Sequence, residues 1–359
     1  MVFSTDYKEI SQQISLIDPP KYSTSRNYIN GAVSCLSPYI SRGVINLHLV
    51  KEIILTKYSP KESEKFIQEL AWREYWQRVW QNKGALILKD LKNAQEKVAH
   101  HEMIENVLLG NTGIHILDEQ IKNLYSTGYL HNHVRMYLAS VCCNIAQAHW
   151  YQPARWMYYH LLDGDIASNC LSWQWVAGSF SSKKYYCNQE NINKYCYSNQ
   201  QQSFLDNSYE DLSNLTVPDV LKTIVKNSLT TILPKKQLPV IDTNKPVLIY
   251  NAYNLDPLWR KEEDANRILL LSPSHYSQFP LSRKVIDFII ALSKNIEGIQ
   301  VFTGELEELQ LSGKTQFISK EHPAFNYSGT RDNREWLFPE LTEYYPSFSA
   351  YWKKASHFL

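Results

Sequence analysis

At 359 residues, 44% apolar and 13% aromatic, the chain is too hydrophobic to remain disordered and long enough for two domains with cores of their own. A formal net charge of +1 excludes any global attraction to phosphate, so contact with nucleic acid has to come from a local basic patch. Ten tryptophans and 24 tyrosines suit core packing as well as stacking or electron hopping between rings.

The first residues, Met1 to Asp6, show no charged region followed by an apolar run, and no stretch is long enough to span a bilayer. A cytoplasmic protein without membrane contact is expected. Pro19-Pro20 and Ser37-Pro38 mark early breaks. Apolar residues then recur at spacings of three and four over 44–57, 62–82, 113–126, 130–150 and 153–180, which predicts helices with no strand between them. Asp163-Gly164-Asp165 reads as a turn into a new helix with Asp165 as its N-cap. Six cysteines at 35, 142, 143, 170, 187 and 196 fall in apolar patterns without repeated short spacing, so buried reduced thiols are expected rather than disulfides, and no metal site.

Residues 198–244 are rich in Asn, Gln, Ser, Lys and Pro and read as a connecting region, with one amphipathic stretch at 217–232. Beyond it, short apolar runs at 247–250, 268–271 and 299–302 alternate with a helix over 282–293, the pattern of an α/β unit with a parallel sheet. The first of these strands leads into Asn251-Ala252-Tyr253-Asn254, which has no glycine, so no phosphate-binding loop is expected there. The chain thus reads as a helical domain over 1–197, a linker over 198–244, and a small α/β domain with an aromatic tail over 245–359.

Chemistry concentrates in four helical segments. Glu69, Trp72, Arg73, Trp76 and Trp80 lie three or four apart and form one stripe; core packing alone explains many such stripes, but here Glu69 and Arg73 share the face. Asn132, Arg135 and Met136 share a second face, continued by Ala139, Ser140 and Cys143. The bland alternative for Arg135 is an interhelical salt bridge. Asp163 and Asp165 flank a glycine, and Asn169 and Trp173 follow at four-residue steps, while Trp175 points to nearly the opposite face. A plain turn with a helix cap also accounts for Asp-Gly-Asp. Polar groups on largely apolar helices need partners, and a large flat cofactor with polar edges satisfies them economically.

In this order, Glu-x-x-Trp-Arg-Glu, His-Asn-x-x-Arg-Met, Asp-Gly-Asp-x-x-x-Asn and Trp-Gln-Trp resemble the helical FAD-binding domain of the photolyase/cryptochrome family, over roughly residues 20 to 190. Ser34-Cys35-Leu36-Ser37-Pro38-Tyr39 resembles that domain's phosphate-contacting motif, and Tyr22 its upstream tyrosine. The resemblance implies an all-helical FAD-binding domain; with the α/β pattern beyond it, the chain reads as a multidomain α and α/β fold, an all-helical FAD-binding domain followed by a small α/β domain with a parallel sheet. It implies that Tyr22, Ser34, Leu36 and Ser37 serve the FAD phosphate side, and that Arg73, Arg135, Asp163 and Asp165 surround the flavin. It also places Asn169 opposite flavin N5, where a neutral amide tolerates a reduced ring better than a carboxylate does.

The same resemblance sets Glu69, Trp72, Asn132, Met136 and Trp175 around a pyrimidine dimer flipped out of damaged DNA, and makes Trp173 and Trp150 electron carriers toward the flavin. The family's branch acting on (6-4) photoproducts is expected to carry histidines where Asn132 and Met136 stand. Residues 81–149 lack the distal tryptophan of the usual electron chain, for which Tyr151, Trp156 or Tyr158 is a substitute. Cys35 and Val33 depart from the common arginine and threonine, and 185–190 lacks the usual basic stretch. The α/β unit follows the helical domain instead of preceding it, and no antenna cofactor is expected. Light-driven repair of cyclobutane pyrimidine dimers is the expectation; the alternatives are a cryptochrome-like photoreceptor acting through a protein partner, and a flavoprotein without photochemistry.

Overall fold

A computed structural model supplies the fold and describes residues 2–309 and 316–359. Pro19-Pro20 and Ser37-Pro38 both open helices. α1 (Tyr7–Ser15) is capped by Asp6, and α2 (Pro19–Ser25) starts on Pro19-Pro20 with Asp18 accepting from the Lys21 N–H. α3 (Ser37–Ser41) and α4 (Leu47–Leu55) lead to α5 (Pro60–Lys83), whose start is a capping box: Ser59 and Glu62 bond each other's backbone N–H. α5 is about 36 Å long, and it is buried nearly all round from Glu74 to Trp80.

β1 (Met103–Ile104) precedes α6 (Glu105–Leu109), α7 (His115–Thr127) and α8 (Asn132–Ser140). The expected helix over 130–150 is interrupted: after Ser140 the chain widens into a π-turn, Val141–Ile145, closed by the Ala146 N–H on the Val141 carbonyl, and α9 (Tyr151–His160) starts afresh. The turn expected at Asp163-Gly164-Asp165 separates α9 from α10 (Ile166–Ala177). α11 (Gln189–Cys196) and α12 (Tyr209–Asn214) follow. The amphipathic stretch at 217–232 is not an α-helix. Pro218 starts a single 3-10 turn, Asn106 holds the Val220 carbonyl at 2.7 Å, and β2 (Ile224–Val225) pairs antiparallel with β1. That two-residue ladder also corrects the expectation of a strand-free helical region.

In the α/β part, β3 (Val247–Tyr250), β4 (Asn266–Leu271), β5 (Ile299–Thr303), β6 (Phe317–Lys320) and β7 (Thr330–Asp332) form one parallel sheet in the order β5-β4-β3-β6-β7. α13 (Pro273–Gln278) and α14 (Arg283–Ser293) follow β4, and α15 (Phe348–Ala355) lies near the C-terminus. Val247, Ile249, Ile268, Leu270, Phe302 and Phe317 make a dry core on the sheet, the apolar runs that a parallel sheet needs. β6 and β7 had no counterpart in the sequence pattern, because β6 ends in Ser319-Lys320 and β7 is Thr-Arg-Asp.

Spatial contacts gather the chain into two units, Met1–Ile17 with Ser34–Glu74 and Leu229–Leu359, and Asp18–Val33 with Tyr75–Ser228. Within the first, Glu74 is 1% exposed and accepts from the backbone N–H groups of Leu337 and Phe338 and from the Tyr351 hydroxyl. The aromatic tail is therefore bonded to α5. Within the second, α10 packs against α8 and α9.

Candidate cofactor site

In the second unit, α8 starts on His131, whose Nδ1 accepts from the His133 N–H at 3.2 Å. Burial, reinforced by His133, pushes the His131 pKa down to about 4, so the ring is neutral at ordinary pH and Nδ1 can accept. One turn on, Arg135 donates through Nη2 to both oxygens of Asp163, at 3.0 and 2.8 Å, and through Nε to the Leu130 carbonyl at 3.0 Å. A salt bridge thus exists, running from α8 to the turn before α10 instead of between two helices, with one nitrogen on both carboxylate oxygens and Asp163 almost wholly buried. Gly164 follows because a Cβ there would come within 3.0 Å of the Tyr158 carbonyl and 3.1 Å of that of Leu161. Asp165 caps α10 as expected: Oδ1 accepts from the Ser168 N–H, and Oδ2 from Gln77 Nε2, both at 2.6 Å.

Asn169 is the informative side chain. Its Nδ2 donates to the Ala154 carbonyl at 2.9 Å. A carbonyl only accepts, so this contact fixes the amide orientation and leaves Oδ1 as the group on offer. One residue earlier, the Ser168 hydroxyl is buried without a hydrogen-bond partner among the described residues. A fixed amide acceptor, an unpartnered hydroxyl and a clamped guanidinium on neighbouring elements fit a flat ligand with hydrogen-bonding edges such as a flavin.

Trp173 is 2% exposed while Trp175, on the other face of α10, is 37% exposed with its ring 6.0 Å from Tyr185. Asn132 is exposed, and its amide lies 3.9 Å from the Met136 sulfur. Trp150 is wholly buried and donates to Asp90 at 2.7 Å. Tyr22 is half-buried on α2.

In the first unit, Glu69 pairs with Lys65 at 2.8 Å, one helical turn away. Trp72 stacks on Phe348 of α15, centroids 3.6 Å apart and planes at 11°, so one face of its ring is covered. Arg73 is half-buried on α5. Ser34 takes Gln13 on its carbonyl, its Oγ lies 3.4 Å from the Leu36 N–H, and Cys35 between them has φ +53°. Leu36 is fully buried and caps α3 without a side-chain bond, and Ser37 is the first residue of that helix.

Gln77 and Asp90 escaped the sequence reading, and Glu74 entered it only as the last residue of the Glu-x-x-Trp-Arg-Glu motif. Gln77 lies one turn beyond Arg73 and was legible as a continuation of that stripe; Asp90 sits in an irregular segment with no periodicity to mark it.

These helices make up a flavin-binding type of domain. Residues 66–216 match the family model described as the FAD binding domain of DNA photolyase, which names FAD as the cofactor, and in this segment the chain is similar to the photolyase/cryptochrome family. It is 29% identical over 153 residues to a deoxyribodipyrimidine photo-lyase of Streptomyces griseus, covering 41% of this chain and 32% of that protein. It is 31% identical over 172 residues to the mitochondrial deoxyribodipyrimidine photo-lyase of Saccharomyces cerevisiae, covering 43% and 30%. The chain thus matches about a third of the length of these relatives. A crystal structure of a Synechocystis cryptochrome shares the fold with TM-score 0.50 at 23% identity, over 54% of this chain and 44% of that one. Among the described residues, no helix is long and apolar enough to cross a membrane, and none of the six cysteines is in a disulfide.

Proposed function

We propose that the protein binds FAD and uses light to repair cyclobutane pyrimidine dimers in DNA. The observation that carries this reading is Asn169, a neutral amide fixed by the Ala154 carbonyl with its oxygen on offer, in a segment that matches a photolyase FAD-binding domain. Bound, reduced FAD would supply an electron to the lesion under light and recover it after the pyrimidines part. The protein's own part is to hold and to position. Arg135, kept in place by Asp163, and Arg73 supply positive charge beside an electron-rich ring, and Asp165 stabilises the start of α10 so that Asn169 is held in register. Tyr22, Ser34, Leu36 and Ser37 are assigned to the phosphate side of the cofactor. Glu69 and Asn132 are assigned to the polar edge of the dimer, Trp72, Trp175 and Met136 to its flat faces. Trp173 and Trp150 are assigned to electron supply.

The domain scheme of the sequence, a helical part over 1–197 joined through 198–244 to an α/β part over 245–359, belongs to the same proposal, as does a cytoplasmic location, which six cysteines outside any disulfide support. The test is irradiation of reduced, flavin-loaded protein with an oligonucleotide carrying one cyclobutane dimer. Restoration of the intact pyrimidines only in light supports repair; none with flavin bound and reduced rejects it.

A second reading rests on Phe348, which covers one face of Trp72. A ring already stacked within the chain is less free for a lesion, and that favours a photoreceptor that signals through a protein partner. Light-dependent partner binding without repair would support it.

A further inference from the structure

Trp72 and Glu74 stand two residues apart on α5, and the C-terminal tail holds both of them. Glu74 accepts from the Tyr351 hydroxyl at 2.8 Å, from the Phe338 N–H at 3.1 Å and from the Leu337 N–H. Lys51 of α4 donates to the Leu337 carbonyl at 3.3 Å, so a second helix grips the same stretch. Phe348 lies three residues before Tyr351 on α15, and these anchors set its place: it is 8% exposed, with its ring flat on that of Trp72. Trp352, one turn further along that face of α15, continues the pile 6.2 Å from Phe348 with the planes at 14°.

Packing alone does not select this stack. Aromatic rings favour offset or edge-on contacts over full face-to-face overlap. Elsewhere in the tail that preference is followed, Tyr345 meeting Tyr351 at 75° and Phe338 meeting Trp352 at 70°. Trp72 and Phe348 instead lie centroid over centroid, 3.6 Å apart with the planes at 11°, an overlap imposed by the bonds that fix α15 to α5. Trp72 is only half-buried, as a core ring would not be. With one face backed by Phe348, a base has the second face of the indole to stack on. Three residues earlier on the same side of α5, Glu69 is held by Lys65, so a polar edge and a flat face stand side by side.

We propose that Phe348 is a positioning residue for the lesion: it pins the Trp72 indole in the plane on which one pyrimidine of the flipped dimer stacks. The tail over 337–355, which lies outside the segment 66–216 that matches the photolyase domain, then completes the substrate site. The inference rests on the repair reading above, which supplies the dimer. Phe348 acts through Trp72 and not on the dimer itself. A ring fixed before DNA arrives loses less freedom on binding than one that has to be ordered by the lesion, so the stack strengthens dimer binding without adding a contact. Phosphate contacts hold any duplex equally. Phe348 therefore sets the preference for damaged over undamaged DNA and leaves the affinity for undamaged DNA alone.

Two measurements test this. Flavin-loaded protein is titrated in the dark with a labelled duplex carrying one cyclobutane thymine dimer and with the same duplex undamaged, and fluorescence anisotropy gives the ratio of the two affinities. Phe348→Leu keeps an apolar side chain without a flat face and should cut that ratio roughly tenfold. Phe348→Tyr keeps the face and should keep the ratio. In a Trp72→Leu background, Phe348→Leu should change nothing further, because the ring it acts through is gone. An unchanged ratio in Phe348→Leu, a loss shared equally by both duplexes, or a loss fully additive to that of Trp72→Leu would overturn the proposal. A merely structural Phe348 would lower the melting temperature and leave the ratio where it was. Should Phe348→Leu not fold, Phe348→Met takes its place with the same expectations. If the unaltered protein shows no preference for the dimer, the repair reading falls, and the second measurement still decides the pinning. The 5-fluorotryptophan resonance of Trp72, assigned through Trp72→Phe, should shift and broaden in Phe348→Leu but not in Phe348→Tyr; a line unmoved in Phe348→Leu would show that Phe348 does not hold the ring.

Discussion

The Tyr351 hydroxyl donates to Glu74 Oε1 across 2.8 Å, tying α15 to α5. Two backbone N–H groups, of Leu337 and Phe338, converge on the same carboxylate, which is 1% exposed. Removing an acceptor that serves three buried donors strands all of them. Glu74→Ala should lower unfolding free energy by about 3 kcal/mol or more, and Tyr351→Phe by about 1 kcal/mol. In urea unfolding the double variant should lose less than the sum of the two, because both changes break one shared bond. Additive losses would show that Glu74 and Tyr351 act independently.

The amide of Asn169 cannot turn over without losing the Ala154 carbonyl. Asn169→Asp removes that donor and sets an anion where the proposed flavin gains electrons, so reduction should become harder, with the midpoint potential falling by tens of millivolts. Asn169→Leu should leave the potential closer to that of the unaltered protein but weaken cofactor retention. Spectroelectrochemical titration reads the potential. A midpoint in Asn169→Asp that coincides with that of the unaltered protein would remove this residue from the flavin edge.

Much of this was legible before any coordinates. The 3.6-residue period survives wherever one helix face is apolar, which is why α4, α5, α7 and α14 stand close to their expected positions. Asp165 announced itself as a cap through the turn before it. Where backbone pairing or proline competes with periodicity, as at 217–232, the period misleads. The π-turn after Ser140 leaves no mark in a run that stays apolar. Contacts between distant residues were the least legible: nothing local to Glu74 announces Tyr351, nor does anything beside Trp150 announce Asp90, because each partner is fixed by tertiary packing. Composition and spatial contact also divide the chain along different lines, since composition registers how polar each segment is and contact registers shared burial.

Arg135 reaches both oxygens of Asp163 from Nη2 and the Leu130 carbonyl from Nε. Lysine keeps the charge but has one nitrogen where arginine uses two, for the carboxylate and the carbonyl. Arg135→Lys should cost about 1–2 kcal/mol of stability and release FAD more readily on dialysis, while Arg135→Lys combined with Asp163→Asn should be no worse for stability than the single change at 163. Calorimetry and the flavin-to-protein absorbance ratio read the two effects separately. Undiminished flavin retention in a stable Arg135→Lys would make the pair purely structural.

His275 is buried beside Arg42 and within 4.6 Å of the Phe325 ring, and its Nε2 has no hydrogen-bond partner among the described residues. Burial first, and then Arg42, push its pKa down from 6.5 to about 4. A base whose folded-state pKa is depressed takes up protons more readily when unfolded, so acid favours unfolding. The contribution of His275 is therefore complete above about pH 6.5 and is lost as pH falls toward 4, up to roughly 3 kcal/mol at the lower end. His322, driven low by burial and then by Arg334, acts in the same direction. Asp332, held low mainly by its hydrogen bonds from Arg260, adds its own loss only once pH approaches the ordinary carboxylate value of 3.8. Urea midpoints between pH 7.5 and 4, a window chosen to span both values, should fall steadily in the unaltered protein and more gently in His275→Gln. Identical slopes for the two proteins would mean that His275 charges without penalty, and that its ring is reached by water.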